Sequence, residues 1–334
     1  MSSYRYSPLP SNNIRLLCLL PNASEAEPLQ CKLLDYNLQD PSGRTHLYDA
    51  LSYVWGDRNN TRPIDIVKHE LQSKDELHVT TNLYEALSHL RNFFFQRIIW
   101  VDAICIDQEN REEKEQQIRL MAKIYSKAHR IIVWLGKEAV DTKGALEDIS
   151  LATNEELTER SKKEINKQAI LNLLQRPWFQ RIWVLQEVAA ARHIVMMCGP
   201  MEIDGYIFCL GLKSLRLSYT ASPELQTLPS VTYLIERAGL RPKCTANLPE
   251  RFSLNIRCLA ELIDMFHTRK ATDLRDKVYA LLGMSSDDPE KAGLRPDYQV
   301  LWEDLFRDLV KFVLSNDLSV QTWGNVRPHH SGHP

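Results

Sequence analysis

The stretch RPWFQRIWVLQEV, residues 176–188, contains a single acid, Glu187. On a helix, residues three and four positions away share one face. For Glu187 these are Trp183, Val184, Ala190 and Ala191, and none is basic. Desolvating a carboxylate is costly unless something pairs with it. Two readings follow. Glu187 is either a rim carboxylate that reaches a distant arginine such as Arg176 or Arg192, or a carboxylate kept among apolar neighbours for chemistry, its pKa tuned by desolvation. Trp183, one turn earlier, is either plain core or a wall on which a flat ring stacks.

Other residues carry comparable potential. Ser52, Tyr53, Trp55, Gly56 and Asp57 close the apolar run YDALSYVWG. In open parallel sheets ligands sit beyond the carboxyl ends of strands, and a glycine there lets backbone approach them. The competing reading is an ordinary turn, which Trp-Gly-Asp also suits. Asp102 lies inside IWVDAICID, where burial requires donors, so it is read as a structural anchor on backbone amides or hydroxyls. Asp107 and Gln108 follow at the exit, where Asp107 either caps the next helix or meets a ligand. Cys105 is read as a small buried hydrophobe, since no base accompanies it. Asp57, Asp102 and Asp107 together would be the donors of a metal-dependent hydrolase, without a diagnostic spacing. Arg176 and Arg181 flank the tryptophan pair and could receive a diphosphate, or remain solvated. Arg275, Asp276 and Lys277 are read as a salt-bridge cluster.

The elements that must position these residues follow from periodicity. IRLLCLL (14–20) and LQCKLLDY (29–36) flank a turn and form a hairpin. IDIV (64–67) and ELHVT (76–80) are short alternating strands. Leu83, Ala86, Leu87, Leu90 and Phe94 recur at helical spacing, with Asn82 and Glu85 in capping positions. RIIWVDAICID (97–107) reads as one continuous buried strand. Asn110 and Glu113 cap a helix with the stripe Ile118, Met121, Ala122, Tyr125 and Ala128. RIIVWLG (130–136) and HIVMMCG (193–199) are further buried strands. This alternation predicts parallel pairing with crossover helices. Residues 137–168 read as a solvated helical insertion, and Pro177 sits where a helix begins. Prolines 223, 229, 242 and 249 mark 201–250 as a loop-rich connection. Three helical stretches follow over 251–325, and 326–334 reads as a disordered tail.

The 334 residues are 44% hydrophobic and 25% charged, enough for a packed core. A net charge of −2 gives no general reason to bind nucleic acid. No apolar run reaches a membrane span and the N-terminus lacks a signal-peptide core. Seven cysteines without a C-x-x-C pair suit reduced thiols in a cytoplasmic protein. No dinucleotide or Walker glycine loop is present.

Four blocks together resemble the fungal HET (heterokaryon incompatibility) domain: YDALSYVWGD, LHVTTNLYEALSHLR, IWVDAICIDQENREEKEQQIRLMAKIYSKAHRIIVWLG and RPWFQRIWVLQEVAAARHIVMMCG. TDLRDKVYALLGM (272–284) is similar to a segment that often follows that domain. The resemblance spans about residues 10–200 and implies a HET domain over 1–200, with the 251–325 helices packed on it. It implies an effector of fungal non-self recognition that triggers programmed cell death. HET domains are distantly similar to TIR domains, which implies a TIR-like α/β fold: a central, mostly parallel sheet flanked by helices, extended by the N-terminal hairpin and the helical C-terminal part. Ser52-Tyr53 resembles the end of the first TIR strand, and Trp183 with Glu187 matches the TIR W-x-x-x-E motif, whose glutamate cleaves NAD. The insertion at 137–168 departs from a compact TIR domain. The resemblance thus implies Glu187 as the catalytic carboxylate, with Trp55 and Trp183 as aromatic walls. Ser52, Tyr53, Gly56, Asp107, Gln108 and Arg181 would contact the substrate, and Asp102 and Cys105 would support the site. NAD is then a substrate, no cofactor or metal is expected, and assembly of several copies would switch activity on. An incompatibility partner protein is also implied. The rival readings are a non-enzymatic homotypic signalling module and the metal-dependent hydrolase.

Overall fold

Strands that are apolar at every position, not at alternate ones, need cover on both faces. Four short segments that are wholly apolar, or apolar but for Asp49, Ser52 and Arg97, form the middle of the sheet: β4 (Asp49–Tyr53), β7 (Arg97–Trp100), β8 (Ile131–Trp134) and β9 (Ile194–Cys198). They run parallel in the order β7-β4-β8-β9. The computed structural model describes residues 2–22, 27–39, 47–67, 74–139, 141–153, 165–217, 223–240 and 252–317. The hairpin of β2 (Asn13–Leu19) and β3 (Gln30–Asn37) joins antiparallel through β2 to β7. Beyond it lie β5 (Thr61–Val67), β6 (Lys74–Thr80) and β1 (Ser2–Ser3), while β10 (Met201–Asp204) closes the other edge. The result is a mixed α/β sheet with parallel pairings in the majority, N-terminal strands and C-terminal helices.

The connectivity creates a crevice. From β4 the chain passes through the helix Thr81–Leu90 to β7 on one side. From β7 it passes through the helix Arg111–Lys127 to β8 on the other side of β4. Connections that leave in opposite directions open a gap beyond the carboxyl end of β4, the place where such sheets bind ligands. The Arg111–Lys127 helix is held over the sheet by Tyr125, whose hydroxyl donates to Leu51 O at 3.1 Å. Asn110 caps it as expected, accepting from Glu113 N at 3.1 Å.

Several expectations are corrected. Residues 97–107 do not form one strand. The ladder ends at Trp100 and residues Asp102–Cys105 form a single helical turn. Ile104 and Cys105 are apolar because the turn itself is buried, a pattern that periodicity cannot separate from a strand. The first helix is capped by Thr80, accepting from Leu83 N, instead of by Asn82. Asn82 donates to Val54 O and accepts from Trp134 Nε1 at 3.1 Å, tying that helix to the end of β4. Residues 201–240, read as part of a loop-rich connection, contain β10 and the helices Gly205–Leu215, Pro223–Gln226 and Leu228–Glu236. Pro223 and Pro229 sit in first turns, where a missing N–H costs nothing. Pro242 and Pro249 lie outside the described residues. The insertion is not simply solvated, since the helix Thr142–Leu151 buries Ala145, Leu146 and Ile149. Residues 154–164 and the tail from 318 lie outside the described residues.

Two contacts fix the pieces around the crevice. Arg15 on β2 is buried and pairs in fork geometry with Glu113, its Nη2 2.9 Å from Oε2. Arg15 also donates to Cys105 O at 3.3 Å, and Glu113 accepts from Asp107 N at 2.8 Å. The pair thus clamps the 102–110 segment between the hairpin and the helix. On the far side, Gly283 N donates to Gln186 Oε1 at 3.2 Å, and a Cβ on Gly283 would lie 2.7 Å from Ala122 Cβ. This close approach docks the Asp276–Leu282 helix on the domain core.

Removing one partner of a buried ion pair leaves the other charge desolvated. Glu113→Ala should therefore cost about 3–5 kcal/mol of folding stability. The double replacement Arg15→Met with Glu113→Leu should cost far less than Glu113→Ala alone. Denaturant unfolding of the three proteins checks this, and equal losses would show that the pair is not the clamp.

Candidate functional site

The helix Trp183–Ala190 buries every residue from Val184 to Ala190. It is apolar all round because three helices cover it: Arg111–Lys127, Leu228–Glu236 and Asp276–Leu282. Glu187 therefore finds no partner on its own helix. Its partner comes from the sheet. Ser52 Oγ, in β4, donates to Glu187 Oε2, and Trp178 Nε1 donates to Ser52 Oγ at 2.8 Å. A short chain of donors thus ends on the carboxylate. The rim reading involving Arg176 or Arg192 does not hold. Arg176 binds Leu135 O at 2.6 Å and Lys137 O at 3.0 Å, and Arg192 binds Ser126 O at 3.0 Å.

Glu187 is 3% exposed, and burial pushes its pKa up to about 7. The Arg181 guanidinium and the Ser52 hydroxyl act in the opposite direction, and Asp102 adds to the rise. Arg181 is oriented by its bond to Tyr53 O. Asp102 Oδ2 accepts from Trp55 Nε1 at 2.8 Å and Oδ1 from Ala103 N at 2.7 Å. Burial raises Asp102 as well, opposed chiefly by the Trp55 indole and then by Arg181.

These groups meet at a cleft of about 1180 Å³ beyond the carboxyl ends of β4 and β7. Trp55, Gly56, Asp102, Gln108, Arg181, Trp183 and Glu187 all contribute to its wall. Gly56 has φ +80°, a conformation that favours glycine and turns the chain along the cleft. Gln108 is fixed by donating to Asp102 O at 2.9 Å. Ser52 and Tyr53 lie beneath the wall, 1% and 2% exposed, so they support the site without reaching its surface. Asp107 is turned away and accepts from Glu109 N at 3.1 Å and Asn110 N at 3.3 Å. Cys105 is sealed in the core with its thiol pushed up to about 12 by burial, which leaves no thiolate at neutral pH. Among the described residues no three His, Cys, Asp or Glu side chains group as metal ligands. Asp57 accepts from Asn59 N at 2.9 Å, so it, Asp102 and Asp107 serve three separate turns.

The opposite wall comes from residues whose local pattern signals no site. Lys270, Asp273, Arg275, Asp276, Tyr298 and Trp302 complete it. The bridge of Lys270 with Arg181 secures it: Ile182 N donates to Lys270 O at 2.9 Å and Lys270 N to Gln180 O at 2.8 Å. The expected Arg275–Asp276–Lys277 cluster resolves differently. Arg275 pairs with Asp273 at 2.6 Å, whereas Asp276 Oδ1 accepts from Tyr298 O–H at 2.7 Å. Lys277 donates to His267 O at 2.8 Å. Burial raises Asp276, and the Tyr298 hydroxyl and Trp183 indole oppose that rise. The fifth motif, TDLRDKVYALLGM, was the available signal: its first residues line the cleft and its glycine docks the segment.

A buried and a half-buried carboxylate near one guanidinium, on a cleft that two indoles also line, can hold a flat ring and stabilise a developing positive charge. The same burial makes a stability prediction. Glu187 has a folded pKa above its unfolded value, so its protonated form favours folding. That stability is present below the unfolded carboxylate range and is lost as pH rises through about 7, on the order of 3 kcal/mol in all. Unfolding free energies should therefore fall between pH 5 and pH 8 more steeply in wild type than in Glu187→Gln. Parallel pH profiles for the two proteins would remove Glu187 as a neutral-range titrating group.

Residues 48–187 match the family model described as "Heterokaryon incompatibility protein (HET)". The chain is 28% identical over 342 aligned positions to "Heterokaryon incompatibility protein 6, OR allele" of Neurospora crassa, an alignment covering 86% of this chain and 49% of that protein. The chain thus spans about half the length of the curated relative it matches. No solved structure matches it. The matched segment starts one residue before β4 and ends on Glu187, so it contains β4, β7 and β8 but not the Lys270–Trp302 wall. No helix among the described residues is long and apolar enough to cross a membrane.

Proposed function

This is a HET-domain protein, its residues 48–187 being the heterokaryon incompatibility domain, and on that premise we propose that it acts in fungal non-self recognition by hydrolysing NAD in the cleft at Glu187. The proposed outcome of that hydrolysis is cell death through loss of NAD. The observation that carries the chemistry is a buried carboxylate, oriented by Ser52, on the wall of a cleft flanked by Trp55 and Trp183. The TIR likeness of the Trp183–Glu187 spacing supports the same reading.

Cleavage of the nicotinamide–ribose bond passes through an oxocarbenium-like state, as glycoside hydrolysis does. Anionic Glu187 would face the ribose and stabilise the positive charge that develops there. The indoles of Trp55 and Trp183 would hold the nicotinamide ring. Nicotinamide leaves with the bonding electron pair, and water supplies the hydroxyl that completes ADP-ribose while releasing one proton. Arg181 keeps a fraction of Glu187 ionised at neutral pH against desolvation. The resulting pH dependence has a defined sign: turnover rises as pH increases through about 7 and Glu187 ionises.

The test is to incubate the protein with NAD and follow nicotinamide release. Wild type should release it, and a folded Glu187→Gln protein should be slower by at least about 10²-fold. Ser52→Ala should move the turnover midpoint to higher pH, because it removes a donor that favours the anion. Equal release by wild type and Glu187→Gln, or none by wild type at concentrations that favour assembly, would refute hydrolysis at Glu187.

A further inference from the structure

The charged residues that line the cleft differ in exposure and in partners. Asp102, Glu187 and Asp276 lie in its half-buried and buried wall with Arg181 among them. Asp273 is neutralised by Arg275. Three more cations line the cleft: Arg58 and Lys270 are exposed and Lys114 is half-buried. None of the three forms an ion pair among the described residues. Arg58 lies over the Trp55 ring at 4.7 Å and Lys114 over the Tyr298 ring at 4.9 Å. Lys114 also lies within electrostatic reach of Asp273 and Asp276. Asp57, the remaining acid of the lining, is turned onto its own loop.

Arginines suggested by sequence for an anion are already engaged. Arg181 is held by Tyr53 O and faces Glu187 and Asp102, and Arg176 binds carbonyls outside the cleft. An anionic group entering the cleft would be repelled by Glu187, Asp102 and Asp276 and attracted by the exposed Arg58 and Lys270 and by Lys114. A ligand that fits this arrangement carries a neutral or cationic ring at one end and phosphate at the other.

We propose that Arg58, Lys114 and Lys270 form a diphosphate subsite at the mouth of the cleft, so that the cleft takes a nucleotide diphosphate with its phosphates outward and its ring toward Glu187. The subsite deepens the nucleotide reading above and rests on it for the orientation. Its cations come from three parts of the chain: Arg58 from the loop after β4, Lys114 from the Arg111–Lys127 helix and Lys270 from the C-terminal part. The C-terminal segment is therefore part of the binding site and not only a scaffold for it.

The experiment is calorimetric titration of ADP-ribose and of nicotinamide riboside, which lacks phosphate, into wild type and an Arg58→Ala/Lys114→Ala/Lys270→Ala protein. Lys270→Glu is the second variant, chosen because its exposed side chain can be reversed without disturbing the core. ADP-ribose affinity should fall at least about tenfold in both variants and should weaken with salt in wild type, while nicotinamide riboside binding is unchanged. Unchanged ADP-ribose affinity in either variant, equal losses for both ligands, or no ADP-ribose binding by wild type would overturn the subsite. The outcome is separable from hydrolysis. Charge-dependent ADP-ribose binding without nicotinamide release keeps the subsite and refutes the reaction. NAD cleavage with an unchanged KM in both variants keeps the reaction and refutes the subsite.

Discussion

A carboxylate buried where no neighbour on its own helix can pair with it constrains this fold more than any other single feature. Glu187 must be met from outside its helix, and the sheet meets it through Ser52, which is itself held by Trp178. That requirement fixes the spacing between the end of β4 and the helix Trp183–Ala190. It also explains why Arg181, two residues before the helix, is bound to Tyr53 O instead of extending into solvent. Without these partners the apolar covering of the helix would expel the acid or keep it fully protonated.

The same constraint explains the layers around the site. The Trp183–Ala190 helix lies against the Arg111–Lys127 helix on one side and the Asp276–Leu282 helix on another. Closeness between them depends on small residues, Ala122 and Gly283, where a larger side chain would force the layers apart. The Arg15–Glu113 clamp then sets the position of the turn that carries Asp102. Stability and site geometry are therefore not separate properties. The pieces that hold the sheet to its helices also place the acids, the indoles and Arg181.

Much of this was legible in the sequence. β8 and β9 are apolar at every position and β4 nearly so, which makes their burial legible, and the alternation of strands with helical stretches makes their parallel pairing legible. Glu187 stood out because nothing at helical spacing could neutralise it. What escaped was set by contacts distant in sequence. The single turn at Asp102–Cys105 looks like strand because a buried turn and a buried strand are equally apolar. Of the two roles open to Asp107, a helix cap or a ligand contact, its bonds to Glu109 N and Asn110 N at the start of the next helix match the first. The Lys270–Trp302 wall could not be read from local patterning, since its place depends on a backbone bridge between Arg181 and Lys270. The strand end suggests a substrate contact for Ser52, whereas its cross-element bond to Glu187 and its burial put it beneath the acid.

The most direct test of this account is the titration of Glu187 itself. Carbon-13 labelling of glutamate side chains and a pH series by nuclear magnetic resonance would follow each carboxyl, with Glu187→Gln identifying the resonance that disappears. The account predicts one glutamate titrating near pH 7, displaced to higher pH by Ser52→Ala. A Glu187 resonance that titrates in the ordinary carboxylate range, about 4, would contradict it.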